Sequence, residues 1–361
     1  MRWAVILLLI PFHAAQAFKI WDEPNYIEFG PNPALSSIIV FFGPFVMQLL
    51  FLLAGISMRY ALKRRTYAQF VAERIKRLLI PLVFGVLVLV PPMCYLADRF
   101  HNDYNGSFFE HYEKFFTVIT DMSGADGGFS FGQFWFLLYL FLLSFVLLGV
   151  IALQKKIGSA RGAQKKESGS SWATKRILFW GILCLGLPLP LFSELLSVGG
   201  KSFTEFFYFL FLGYYVFTNK AVTEKLRKYG IFLLAIGIAA GVVRVILFVI
   251  CGVDSDVINS IVTTIFEWFM VIGLFGAGGR FFNHENALTR FFTAISYPFF
   301  SFHFLFVILF QYLLSDILKE NTLLLYTIPV LLSYAATILC CQIIRKIPPL
   351  CFLVGIKSGK S

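Results

Sequence analysis

The chain has 361 residues, 58% of them hydrophobic and only 14% charged, whereas a soluble domain averages roughly 25% charged and 45–50% apolar residues. A mean hydropathy of +0.77 and 44 Phe residues exclude a soluble two-domain enzyme and a disordered chain as leading readings. The formal net charge of +11 would suit nucleic acid only on the basic face of a soluble domain, and here the charge sorts along the chain instead.

Ten apolar segments follow one another at 3–18, 36–58, 78–97, 131–153, 176–194, 203–218, 230–251, 257–277, 291–314 and 322–344. Each holds roughly 16–24 residues, near the ~20 that a spanning helix needs; the first and sixth are short. The fold class expected is all-α, a polytopic membrane protein of about ten transmembrane helices. Residues 1–346 form a single integral membrane domain and 347–361 a short basic tail. If the N-terminus is cytoplasmic, 25 of the 31 Lys and Arg fall on the inside and 5 outside, with Arg244 inside a segment. Acidic residues sort the opposite way: 15 outside, 4 inside (Glu73, Glu167, Glu224, Glu285), and Glu267 within a segment. The Lys/Arg bias of short loops puts both termini in the cytoplasm of a multi-pass cell-membrane protein. The basic balance is thus a topology signal, and no nucleic-acid partner is expected.

Residues 1–17 have two readings. Arg2, the apolar run 3–12 and Ala15-Gln16-Ala17 have the form of a cleavable signal peptide. Kept as a first helix, the segment places His13 eleven residues after Arg2, or ~16 Å along the axis and near mid-membrane. An ionisable residue there is a functional hypothesis by default. The outside loop 98–130 is acidic and carries His101 and His111. They read as surface side chains, because no third ligand stands at a metal spacing. The inside loop 154–175 is a basic Gly/Ser linker. The six Cys show neither metal nor disulfide spacing and read as small core residues.

Glu73-Arg74-Ile75-Lys76-Arg77 leads into the third segment. Arg74 and Arg77, at i and i+3, share a helix face, and two guanidinium groups at a membrane boundary suit phosphates. The alternative is an ordinary positive-inside cluster touching lipid headgroups. Trp135 and Tyr139, at i and i+4, share a face as stacking or interfacial aromatics. Arg244 and Glu267 lie at similar depth by helix rise and are expected to pair.

Taken together, Arg2-x10-His13 on the first helix and Arg74-x-x-Arg77 at the start of the third resemble the membrane-bound acyltransferase family 3. Three further stretches resemble that family in order: LLFLLAGIS (49–57), with Ala54 where Ser is usual; FGQFWFLLYL (131–140), with Gln133 where His is common; and GAGGRFFN (276–283) followed by ISYPFFSFHF (295–304). The last pair is similar to the glucan biosynthesis protein C subgroup, described as succinylating periplasmic glucans, and His303 matches a position where that subgroup usually carries His. The family often has an Asp shortly before the first Arg; here the chain begins at Met1, so the start lies upstream or the Asp is dispensable.

The resemblance implies an O-acyltransferase that moves an acetyl or succinyl group from cytoplasmic acyl-coenzyme A to a hydroxyl of an extracytoplasmic glycan. His13 would be the general base, with Arg2, Arg74 and Arg77 on the donor phosphates. Trp135, Tyr139, Arg244, Glu267 and His303 would lie around the acceptor path. Acyl-coenzyme A would be a co-substrate, with no bound cofactor and no metal. His303 reads equally as a structural His bonded to a neighbouring helix. The competing function is a proton-coupled transporter or flippase, which intramembrane Arg, Glu and His would also suit. The topology is testable directly. Reporter fusions after residues 65, 165, 225 and 360 should report cytoplasm, and fusions after 25, 115 and 255 the exterior. A mature N-terminus beyond residue 17 would overturn the first helix.

Overall fold

The computed structural model describes residues 2–160, 172–198, 200–281 and 286–356. The linker at 154–175 and the tail at 347–361 lie partly outside the described residues, as do Glu167 and Glu285. Among the described residues the regular secondary structure is helical apart from a short hairpin in which Ser197–Val198 pairs antiparallel with Lys201–Ser202.

Among the described residues, eight helices are long and apolar enough to cross a membrane. They are α2 (Pro33–Leu62), α3 (Tyr67–His101), α5 (Gly132–Ile157), α6 (Leu178–Leu195), α8 (Lys220–Ile250), α9 (Asp256–Phe281), α10 (Ala287–Leu318) and α11 (Thr322–Ile344). Two shorter ones, α1 (Arg2–Phe18) and the 13-residue α7 (Phe203–Tyr215), occupy the first and sixth apolar segments. At 1.5 Å per residue they extend only about 25 and 20 Å. Two small helices lie outside the set: α4 (Phe108–Thr117), started by a Ser107/Glu110 capping box, and α12 (Pro348–Leu353).

Apolar helices in lipid gain little from burial alone, so close packing holds them together. Where α2 crosses α7, a methyl on Gly55 would stand 2.1 Å from the Leu210 carbonyl oxygen, and one on Gly213 2.1 Å from that of Leu52. Gly230 of α8 and Gly276 of α9 meet in the same way. Around these contacts the core is filled by fully buried Phe45, Phe51, Phe134, Phe266 and Phe299.

Prolines set the finer geometry. A proline inside a helix has no N–H for the carbonyl four residues earlier, and that oxygen cannot turn to water in the bilayer. Four such oxygens meet donors from other helices, among them that of Leu87, freed by Pro91, which accepts the Tyr112 hydroxyl of α4 at 2.9 Å. Pro11 frees the Leu7 carbonyl, which accepts the Tyr334 hydroxyl of α11 at 2.6 Å. Pro81 frees that of Arg77, which accepts the Tyr297 hydroxyl of α10. Pro44 frees that of Val40, which accepts the Arg244 guanidinium of α8. The expected Arg244–Glu267 ion pair is therefore not formed: Arg244 spends its donors on Val40 and on the Thr263 hydroxyl at 2.9 Å.

Other expectations also change. Helix α3 contains two π turns, Ile75–Leu79 and Gly85–Leu89, that the sequence pattern does not reveal. His111 is fully buried rather than on the surface, 3.3 Å from buried Asp98, which also takes Lys114 at 2.7 Å and Asn102 at 2.8 Å. Burial pushes the His111 imidazole below its ordinary value, against the pull of Asp98. The polar knot ties α4 to the end of α3, which a loop-only reading of 98–130 misses. Cys94, Cys341 and Cys351 are buried as expected, but Cys184, within α6, and Cys251, just past the end of α8, are exposed.

Tyr334→Phe should lower stability by about 1–3 kcal/mol, the cost of an unmet buried acceptor, seen as a lower unfolding midpoint in detergent. In a Pro11→Ala background, where residue 11 regains its N–H, the same change should cost clearly less. Equal costs in the two backgrounds would show that Tyr334 does not serve the Leu7 carbonyl.

Candidate active site

Two cavities enter the helix bundle from opposite ends. One, of about 510 Å³, has Arg2, Arg65, Arg74, Arg77 and Arg345 in its walls, with Ser57, Glu73 and Tyr297. Its deeper wall is apolar: Leu50, Ala54, Phe136, Leu137 and Phe300. The other, of about 810 Å³, holds His13 at depth, with Gln48, Gln133, Trp135 and Glu205 above it and Lys19, Glu23, Asp121 and Lys201 toward its mouth.

The arginine cavity is organised by the start of α1 and the first π turn of α3. The Arg2 guanidinium donates to the Ser57 hydroxyl at 3.1 Å, and Trp3 stacks on Phe292 with ring centres 5.4 Å apart. Arg74 lies over the Phe70 ring at 4.6 Å. Arg77 pairs with Glu73 at 3.2 Å, and Arg65 binds the same carboxylate. Arg74 and Arg77 do face one cavity, although a π turn follows Arg74 instead of the regular α-helix assumed for their spacing. Arg2 and Arg77 both act electrostatically on Arg74. Like charges gathered in a concave, partly apolar wall suit a polyanion.

His13 is held by its helix and by its neighbours' rings. The Gln311 amide donates to the Ala14 carbonyl at 2.9 Å and the Tyr326 hydroxyl to that of Pro11 at 3.3 Å, so α10 and α11 fix the backbone on both sides of it. Its imidazole stacks on Phe304, with ring centres 4.1 Å apart, and lies 5.3 Å from the ring of His303. His303 is fully buried behind it. Between the two cavities stands an aromatic partition. Phe300 lines both, with Phe136 5.6 Å from it and buried Phe51 edge-on to Phe136 at 4.9 Å and stacked on Phe206 at 4.7 Å.

The remaining predicted residues divide. Trp135 lines the histidine cavity, and the Lys201 ammonium lies over its ring at 5.1 Å. Tyr139 packs against Trp135 at 5.5 Å and donates to the Lys201 carbonyl. Glu205 and Glu267 are both buried, and the two carboxyls act on each other electrostatically. Glu205 also accepts the Gln48 amide at 2.7 Å. Arg244 is engaged with α2 and α9, as described above. Gln133 donates to the Ser301 carbonyl at 2.8 Å beside the cavity. Burial pushes the Lys201 ammonium below its ordinary value, while Glu23 acts in the opposite direction.

Gln48, Lys201, Glu205, Tyr297 and Phe300 were not singled out from sequence. The exterior acidic count includes Glu205, three residues into the sixth apolar segment, and the structure buries it. For Phe300 no sequence signal exists among so many phenylalanines.

Comparison with known proteins identifies the family. The family model described as an acyltransferase domain, that of acyltransferase family 3, matches residues 1–346. No curated protein and no solved structure matches the chain. With the match spanning every predicted membrane segment, and eight long apolar helices beneath it, the chain belongs to acyltransferase family 3 and is a multi-pass membrane acyltransferase.

Proposed function

We propose that the protein is an O-acyltransferase of the bacterial plasma membrane that moves an acetyl or succinyl group from cytoplasmic acyl-coenzyme A to a hydroxyl of an extracytoplasmic glycan. The observation that carries this reading is the shared wall at Phe300. A cavity rich in arginine and a cavity holding His13 end on the same aromatic side chain. The Lys/Arg asymmetry turns the arginine cavity to the cytoplasm, where acyl-coenzyme A is made.

In this account the donor's phosphates lie on Arg2, Arg74 and Arg77, and the pantetheine arm runs along Ala54, Leu137 and Phe136 to bring the thioester to Phe300. The acceptor enters past Lys201 and Trp135. Neutral His13 takes the proton of the acceptor hydroxyl as its oxygen attacks the thioester carbonyl. The C–S bond breaks as the tetrahedral intermediate collapses, and the imidazolium returns its proton to the departing thiolate. The products are the ester and free coenzyme A, with no net proton released. Ala54 and Gln133 replace the family's Ser and His without removing a group that this route uses.

Purified protein in detergent should transfer radiolabel from acyl-coenzyme A to a glycan acceptor. His13→Ala should lower transfer by about 10²–10⁴-fold, the usual cost of losing a general base, with coenzyme A binding near normal. Transfer within about threefold of wild type would remove His13 from this role.

Replacing Arg74 or Arg77 with Ala should weaken acyl-coenzyme A binding by about one to two orders of magnitude each, since hydrogen bonds to charged groups are worth ~1.5–3 kcal/mol. Raised salt should weaken wild-type binding as well. A double variant that binds coenzyme A as tightly as wild type would make the two arginines a lipid-headgroup cluster only.

A further inference from the structure

His303 is fully buried, and its surroundings settle which ring nitrogen carries the proton. Nδ1 lies 2.8 Å from the Phe300 carbonyl oxygen and 3.2 Å from that of Phe299. Carbonyl oxygens only accept, so Nδ1 bears the hydrogen and Nε2 is a bare lone pair. Among the described residues that lone pair has no hydrogen-bond partner. An unmet acceptor in an apolar interior is costly. The neighbouring imidazole is His13, its ring centre 5.3 Å away and tilted by 42°. His13 is thus the neighbour whose N–H, turned toward His303, would meet that lone pair.

We infer that His303 is a positioning residue for His13: its bare Nε2 receives the His13 N–H and so fixes the opposite His13 nitrogen as a lone pair facing the histidine cavity. This inference rests on the reading of His13 as the base. A neutral imidazole has one donor and one acceptor nitrogen, and a base oriented by a third group is the recurring form of such sites. Phe304, stacked on His13, holds the ring plane while His303 sets the tautomer. When His13 takes the acceptor proton at its cavity nitrogen, its other N–H stays bonded to His303, and the proton later passes to the thiolate. Because the Phe300 carbonyl accepts the His303 proton, the arrangement of the base is tied to the side chain that separates the two cavities.

The test compares His303→Leu, which offers neither group, with His303→Gln, whose amide can donate to the Phe300 carbonyl and accept from His13. His303→Leu should lower kcat by about 10–100-fold, the loss of one hydrogen bond to a group that becomes charged, with KM for acyl-coenzyme A within about twofold. His303→Gln should recover most of kcat. A His303→Gln enzyme as slow as His303→Leu, a His303→Leu enzyme with wild-type kcat, or a loss confined to KM would each overturn the inference. Nitrogen-15 spectra of the histidine-labelled wild type and His13→Ala give a reading that needs no turnover. His303 should carry its proton on Nδ1, and its Nε2 resonance should move when His13 is removed. A protonated Nε2, or an Nε2 signal indifferent to His13→Ala, would overturn it. An active His13→Ala enzyme would instead remove the base assignment, whatever the spectra show.

Discussion

A carbonyl oxygen stripped of its helical N–H has no water to turn to inside a bilayer, and much of this molecule's architecture answers that constraint. Pro11, Pro44 and Pro81 each release one such oxygen, and Tyr334, Arg244 and Tyr297 each cross from another helix to meet it. These cross-links tie α1 to α11, α2 to α8, and α3 to α10. The two that involve α1 and α3 hold the helices carrying Arg2, His13, Arg74 and Arg77. The prolines thus let helices bend without leaving a buried polar group unmet, and they fix the site-bearing helices in register.

Bent and widened helices leave room that straight ones would fill. The first π turn of α3 follows directly on Arg74, and π turns are frequent at functional sites. The second begins at Gly85, where an added methyl would stand 2.2 Å from the Phe134 ring. Phe134 in turn lies 6.4 Å from Phe300, so the irregular helix packs against the wall between the cavities. A cavity with polar groups in its walls lies on one side, an arginine-rich cavity on the other, and an aromatic layer stands between them. Buried Glu205 and Glu267 add two acidic side chains to the side of the histidine cavity, and Gln48 donates to Glu205.

Much of the fold was legible because lipid imposes a simple rule: spans must be long, apolar and helical. The ten segments read from hydropathy all contain helices, and the short first and sixth are short in space. Arg74 and Arg77 were legible as a pair because charges collect at the ends of spans, and His13 because an ionisable side chain in an apolar run is conspicuous. The Arg244–Glu267 pairing failed for a physical reason: depth along two helices says nothing about which oxygen a proline elsewhere has exposed. Glu205 was hidden by its position near a segment boundary, His111 by a loop that folds a helix back over Asp98. Phe300 was hidden because its importance lies in facing two spaces at once, which only packing defines.

The central claim is that the arginine cavity delivers a thioester through the Phe300 partition to His13. The most direct measurement is a cryo-electron microscopy structure with a non-hydrolysable thioether analogue of acyl-coenzyme A. The account predicts phosphates on Arg2, Arg74 and Arg77, the pantetheine arm along Phe136, a displaced Phe300 ring and the acyl carbon beside His13. An analogue bound from the acidic end of the bundle, or seated in the arginine cavity with its acyl group turned away from an unmoved Phe300, would contradict it.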